Sequence, residues 1–88
     1  MYVIKRGGKK ERFDQRKVYA SCYAACLSTS MNKRDAEKIC EKVAVEVKRW
    51  IKKKKEATSD QIFKEIVKGM KKQDRNAAFM YETHRDVS

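Results

Sequence analysis

From Ala36 to Ile51 the apolar residues fall at Ala36, Ile39, Cys40, Val43, Val47, Trp50 and Ile51, a spacing of three and four that places them on one stripe of a helix. Asn32 stands where that helix needs an N-cap, and Lys52 to Lys55 follow at its end, where positive charge suits the negative end of the helix dipole. Upstream, Asp14 predicts the N-cap of a first helix through Tyr19, Cys22, Ala25 and Cys26 to about Ser28. Downstream, Thr58 and Gln61 have the spacing of a capping box, opening a third helix with Ile62, Ile66, Val67 and Met70 on its inner face. A fourth helix is predicted from about Asn76 to His84.

The first thirteen residues lack that period. Met1 to Arg6 is apolar and β-rich, Gly7-Gly8 supplies the positive φ of a tight turn, and Lys10 to Phe13 can return as a second strand. Alternation along a strand puts Val3 and Lys5 on one face of the first, and Glu11 and Phe13 on one face of the second. The two pairs can look into one site. The pattern predicts a mostly helical α+β fold, in which a small β-hairpin, or a three-stranded mixed sheet if a further short strand joins, packs on a four-helix bundle.

Composition narrows the class. At 88 residues the chain has room for one domain, spanning 1–88, with a modest core, and it reads as one compact unit that could be a piece of a longer protein. Apolar residues are 41% and charged residues 40%, and no apolar run approaches the length of a membrane span. The opening MYVIKRGG lacks the apolar core of a signal peptide, so the expected location is the cytoplasm. A net charge of +11 attracts polyanions without saying which. Three cysteines, Cys22, Cys26 and Cys40, cannot all pair within the chain, and their odd number fits reduced thiols.

The order of residues near the N-terminus carries more. Val3-Ile4-Lys5-Arg6-Gly7-Gly8, then Glu11-Arg12-Phe13-Asp14, then Lys17-Val18 resembles the signature of the ATP-cone family, often seen as V-x-K-R-x-G, a short gap, then E-x-F-D-x-x-K-I. Thr58-Ser59-Asp60-Gln61-Ile62 resembles the family's capped third helix, and Ala78 to Arg85 resembles its closing helix. The resemblance covers nearly the whole chain. It implies a three-stranded mixed sheet over four helices and a site for ATP or dATP, with magnesium accompanying the triphosphate. ATP-cones precede the catalytic part of ribonucleotide reductases, follow a zinc ribbon in the repressor of reductase genes, and are fused to nuclease-like domains. In those settings nucleotide state changes an oligomer or an interface. The implied partners are therefore an adenine nucleotide, an effector domain or protein, further copies of the chain, and nucleic acid reached through the effector, with no membrane.

A nucleoside triphosphate needs cationic donors for its phosphates, apolar surface on both faces of its base, and a polar group at the base edge. Lys5 and Arg6, beside the glycine turn, and Lys17, in the first turn of helix one, are placed for the phosphates. Following the family pattern, Val3, Phe13 and Val18 form one apolar wall and Ile62 the other. Glu11 reads the adenine edge, since an ionised carboxylate accepts from the exocyclic amine and opposes the carbonyl of guanine. Thr58 at the third-helix start and Arg85 in the last helix complete the set. Phe63 stands where reductase cones can carry a histidine that holds the sugar, and it offers no hydrogen bond.

Blander readings compete at each position. In a chain with 23 lysines and arginines, Lys5, Arg6 and Lys17 could be solvated surface charge, and Glu11 a plain surface carboxylate. Cys22, Cys26 and Cys40 read as small core residues, although a zinc site completed by His84 can be drawn. Trp50 reads as a core or interface anchor. An enzyme is not expected: the chain has no phosphate-loop motif, no dinucleotide fingerprint and one histidine. The alternative function is a basic helical nucleic-acid-binding module without nucleotide sensing; a further one is an interaction domain whose old nucleotide site has decayed.

Overall fold

A computed structural model describes residues 1–84. In chain order it contains β1 (Tyr2–Ile4), β2 (Lys10–Arg12), α1 (Gln15–Leu27), α2 (Lys33–Lys54), β3 (Glu56–Thr58), α3 (Ser59–Gln73) and α4 (Arg75–His84). The sheet has the order β2-β1-β3, so the hairpin is joined by a third strand. β1 and β2 are antiparallel with Val3 opposite Glu11, and β1 and β3 are parallel with Val3 opposite Ala57. Phe13 lies just past β2 and keeps the ladder going by donating its N–H to the carbonyl of Met1 at 3.0 Å.

The three helix starts given a cap from the sequence are capped as expected. Asp14 accepts from the Arg16 amide at 2.9 Å, and Asn32 from the Asp35 amide at 2.9 Å. Thr58 and Gln61 close a reciprocal box, with the Gln61 amide on Thr58 Oγ1 at 3.1 Å and the Thr58 amide on Gln61 Oε1 at 3.0 Å. The fourth helix starts a residue earlier than the apolar pattern suggests, because Asp74 accepts from the Ala77 amide at 3.0 Å and so satisfies the first turn.

The α2 stripe forms the floor of the core: Ala36, Cys40, Val43, Ala44, Val47 and Ile51 are buried. Ile39 and Trp50, at its margins, are half-buried, and Lys54 places its ammonium 5.3 Å from the Trp50 ring centroid. Around this floor α1 packs on α2 and α4, while α3 packs on α2 and α4. Ile62, Ile66, Val67 and Met70 all point inward from α3. Among the described residues no polar or charged side chain is buried, and no helix is long and apolar enough to cross a membrane.

The turn between β1 and β2 is closed by the Gly8 amide on the Lys5 carbonyl at 2.9 Å. Gly7, at φ +86°, occupies the third place of that turn, where a type II geometry demands positive φ. Gly69 is a different case, helical and packed on α2. A Cβ there would meet Val43 and Glu46 at 3.5 to 3.7 Å, which is ordinary contact. Substitution by alanine is therefore expected to act with opposite signs. Gly69→Ala should stabilise the fold by about 0.5–1 kcal/mol through lost chain entropy, and Gly7→Ala should destabilise it by about 1–2 kcal/mol through left-handed strain. Urea unfolding of both variants checks this.

Candidate functional site

Strand alternation and register bring the hairpin's functional side chains to one face. Val3 and Glu11 are cross-strand partners, and Lys5 and Phe13 lie two residues along their strands on the same side. That face looks across to the first turns of α1 and α3. Between them lies an open cleft of about 200 Å³ lined by Val3, Lys5, Glu11, Arg12, Phe13, Asp14, Lys17, Val18, Ser21, Ser59, Ile62, Ile66 and Tyr81.

Seven of the ten residues singled out from the sequence thus line one cleft: Val3, Lys5, Glu11, Phe13, Lys17, Val18 and Ile62. Arg6 sits exposed in the turn, beside the cleft and outside its lining. Thr58 is also outside the lining. It pairs in register with Ile4, one step from Val3, and its hydroxyl oxygen already accepts from the Gln61 amide. Arg85 lies outside the described residues.

The charges of the cleft are already partly matched. Lys5 Nζ lies 3.2 Å from Glu11 Oε2, so the residue expected to grip phosphate holds the one expected to read the base. This hydrogen bond from Lys5, aided by the fields of Lys5, Lys17 and Lys9, holds the Glu11 carboxyl below its ordinary pKa. Glu11 is ionised at neutral pH, as an ordinary glutamate is, and stays so further into the acid range. One of its oxygens takes Lys5, and the other has room to accept from a ligand. Asp14 is held down by its hydrogen bonds from Arg16, whose guanidinium reaches both carboxylate oxygens at 3.2 Å.

The inner end of the cleft contains residues that sequence reasoning missed. Ser21 Oγ donates to the Tyr81 hydroxyl at 3.4 Å, and burial raises the Tyr81 pKa. Phe63 stacks on Tyr81 with ring centroids 5.4 Å apart. It thus braces the wall from behind. Helical periodicity gave a signal for two of the missed residues, since Ser21 lies one turn from Lys17 and Ile66 one turn from Ile62. Tyr81 had no local signal, because it arrives through the packing of α4 on α1.

A hairpin face with paired cations and a carboxylate, set over two helix N-terminal turns and walled by apolar side chains, defines a small α+β ligand-binding module. The family model described as ATP cone domain matches residues 1–82, and the chain belongs to that family. ATP-cones are nucleotide-binding regulatory modules that take ATP or dATP as effector and carry no catalysis of their own. Among curated proteins no match is found.

The Lys5–Glu11 pair is exposed enough to be tested by titration. A carboxyl with a depressed folded-state pKa contributes stability above its unfolded value, which is lost as pH falls through the folded one. In Lys5→Met the Glu11 titration midpoint should move up toward the ordinary glutamate value, followed by the side-chain carbonyl resonance in NMR. An unmoved midpoint would mean that Lys5 does not set it.

Proposed function

We propose that this cleft binds ATP or dATP as a regulatory signal and that the nucleotide state is passed to a fused or associated effector. The supporting observation is the convergence on one cleft of two lysines placed for phosphate, Lys5 and Lys17, a carboxylate placed for the base edge, Glu11, and apolar surface from both sides. Val3, Phe13 and Val18 form one base wall, and Ile62 faces them. Triphosphate leaving the cleft passes the turn, where Arg6 can add a donor; Arg85, outside the described residues, is kept as a further phosphate donor on the family pattern alone. The Thr58 hydroxyl, although it caps α3, retains its proton to donate. The cleft itself has two carboxylates, Glu11 and Asp14, each engaged by a cation. Magnesium therefore arrives already coordinated by the triphosphate.

The chain performs no catalysis in this reading. Its partners are the adenine nucleotide, the effector, copies of itself, and nucleic acid where the effector binds it. It works in the cytoplasm. Ribose and deoxyribose are not separated by Phe63, which is turned to Tyr81 and has no hydrogen-bonding group.

One observation favours a second reading. A hollow of about 400 Å³ on the α3–α4 face is lined by Lys64, Lys68, Lys71 and Lys72 together with Phe63, Val67 and Glu82. Such a lysine row suits a nucleic-acid backbone. Binding there would weaken steeply with salt and ignore free ATP, so competition between ATP and an oligonucleotide separates the two.

For the nucleotide reading, ATP and dATP should raise the melting temperature, because a ligand of the folded state stabilises it by mass action. GTP should bind more weakly by about five- to 150-fold, the equivalent of about 1–3 kcal/mol, since its carbonyl sets an acceptor against the Glu11 oxygen that Lys5 leaves open. Lys17→Ala should weaken every triphosphate, whereas Glu11→Gln should narrow the gap between ATP and GTP. Equal stabilisation by ATP, GTP and inorganic triphosphate would show that charge alone is read.

A further inference from the structure

Behind the cleft, on the core side of α1, three sulfur atoms converge that nucleotide binding does not use. Cys22 and Cys26 lie one turn apart on α1, and Cys40 meets them from α2. All three are free thiols with no exposed surface. Their Sγ atoms lie within 4.8 Å of one another, with Cys26 and Cys40 at 3.9 Å. Three sulfurs bonded at about 2.3 Å to one pyramidal centre stand about 3.5 Å apart, so sharing an ion draws Cys26 and Cys40 together by about 0.4 Å and the other pairs by at most about 1.3 Å.

Two features of the surroundings select the ion. Among the described residues no fourth His, Cys, Asp or Glu joins the cluster. His84, the completing ligand that could be drawn from sequence, is exposed at the end of α4. Tetrahedral zinc would lack a ligand, and full burial keeps water from supplying it. The second feature is charge. No charged side chain among the described residues is buried, so a trithiolate around a monovalent or divalent ion would leave net negative charge in an apolar core without a counterion. A trivalent ion leaves none.

The geometry points to a closed three-sulfur site between α1 and α2 that takes a trivalent thiophilic ion of the arsenite class as a neutral tris-thiolate. The exchange balances without a redox step. As(OH)₃ loses three As–O bonds and gains three As–S bonds, and each thiol proton leaves with a hydroxide as water. Arsenic keeps its oxidation state, and its lone pair completes a pyramidal centre. The protonation of the cluster suits this route. Cys22 is pushed up by its hydrogen bond to Cys40 and by burial, and burial takes Cys26 to about 12. The hydroxides that arsenite brings take up the protons that these thiols retain.

Arsenite added to the reduced full chain, at equilibrium after long incubation, provides the test. Native mass spectrometry should show one arsenic gained and three hydrogens lost, and the melting temperature should rise because a preformed site binds the folded chain better than the unfolded one. Cys22→Ala, Cys26→Ala and Cys40→Ala, each checked for helicity by circular dichroism, should retain one hydroxide on arsenic and bind at least tenfold more weakly. Wild type that keeps a hydroxide, or whose melting temperature falls, would overturn the site whether or not the variants fold. Zinc(II) that stabilises the chain as much as arsenite does would overturn the charge argument.

Discussion

The parallel pairing of β1 with β3 is the contact on which both the fold and the cleft depend. It joins residues at the N-terminus to residues more than fifty positions later, with Val3 opposite Ala57. Only this pairing brings Ser59 and Ile62 of α3 up to the hairpin. α2 makes it possible. At 22 residues it is about 33 Å long, close to the 36 Å long dimension of the molecule, and it returns the chain from the far end of the bundle to the sheet. The reversal is then made at Lys55, which adopts φ 71° while its amide caps α2 on Ile51 at 2.7 Å and its carbonyl receives the Tyr2 amide at 3.1 Å. One residue ends the longest helix and starts the crossing strand.

The electrostatics of the cleft differ from those of the whole chain. A net charge of +11 gives a long-range field that gathers any polyanion and is screened over about 8 Å at physiological salt. Within the cleft, however, Lys5 is matched by Glu11, and Asp14 by Arg16. Attraction and discrimination therefore rest on different residues. On the proposed reading, the surface lysines raise encounter with phosphate, and the short-range pair at the strand face decides what is read.

Much of this was legible in the sequence, and for local reasons. Caps are set by a residue and its neighbours two or three places on, so Asp14, Asn32 and the Thr58–Gln61 box could be named and were found. The two hairpin pairs could be assigned to one face because alternation has a fixed period. What escaped depends on packing between distant segments. Tyr81 enters the cleft because α4 lies on α1, and no spacing in either helix announces that. Phe63 could be seen as lacking a hydrogen bond, but its use as a brace for Tyr81 needed the stacked geometry. The sequence also placed Cys22, Cys26 and Cys40 in the core as small apolar residues. Their burial followed from the stripe, whereas the meeting of their sulfurs depends on how α1 and α2 are rotated against each other.

α1 therefore serves two surroundings at once. Lys17, Val18 and Ser21 face the cleft, and Cys22, Ala25 and Cys26 face the core. α4 has a similar division over a shorter length, with Ala77 and Ala78 buried, Tyr81 at the inner end of the cleft, and Phe79 64% exposed on the outside. A ligand shifts a conformational equilibrium only through contacts that differ between its states. On the proposed reading, the contact able to differ is the one between the nucleotide and Tyr81, because the hairpin is fixed by its strand pairing and α2 by its long buried stripe. α4 is the shortest helix and is held by Ala77, Ala78, Met80 and Tyr81 rather than by a long apolar stripe. Displacing Tyr81 would thus tilt α4 at less cost than moving any other wall, and would carry the exposed Phe79 with it. The outer face of α4 is accordingly where an effector could sense an occupied cleft without touching the nucleotide.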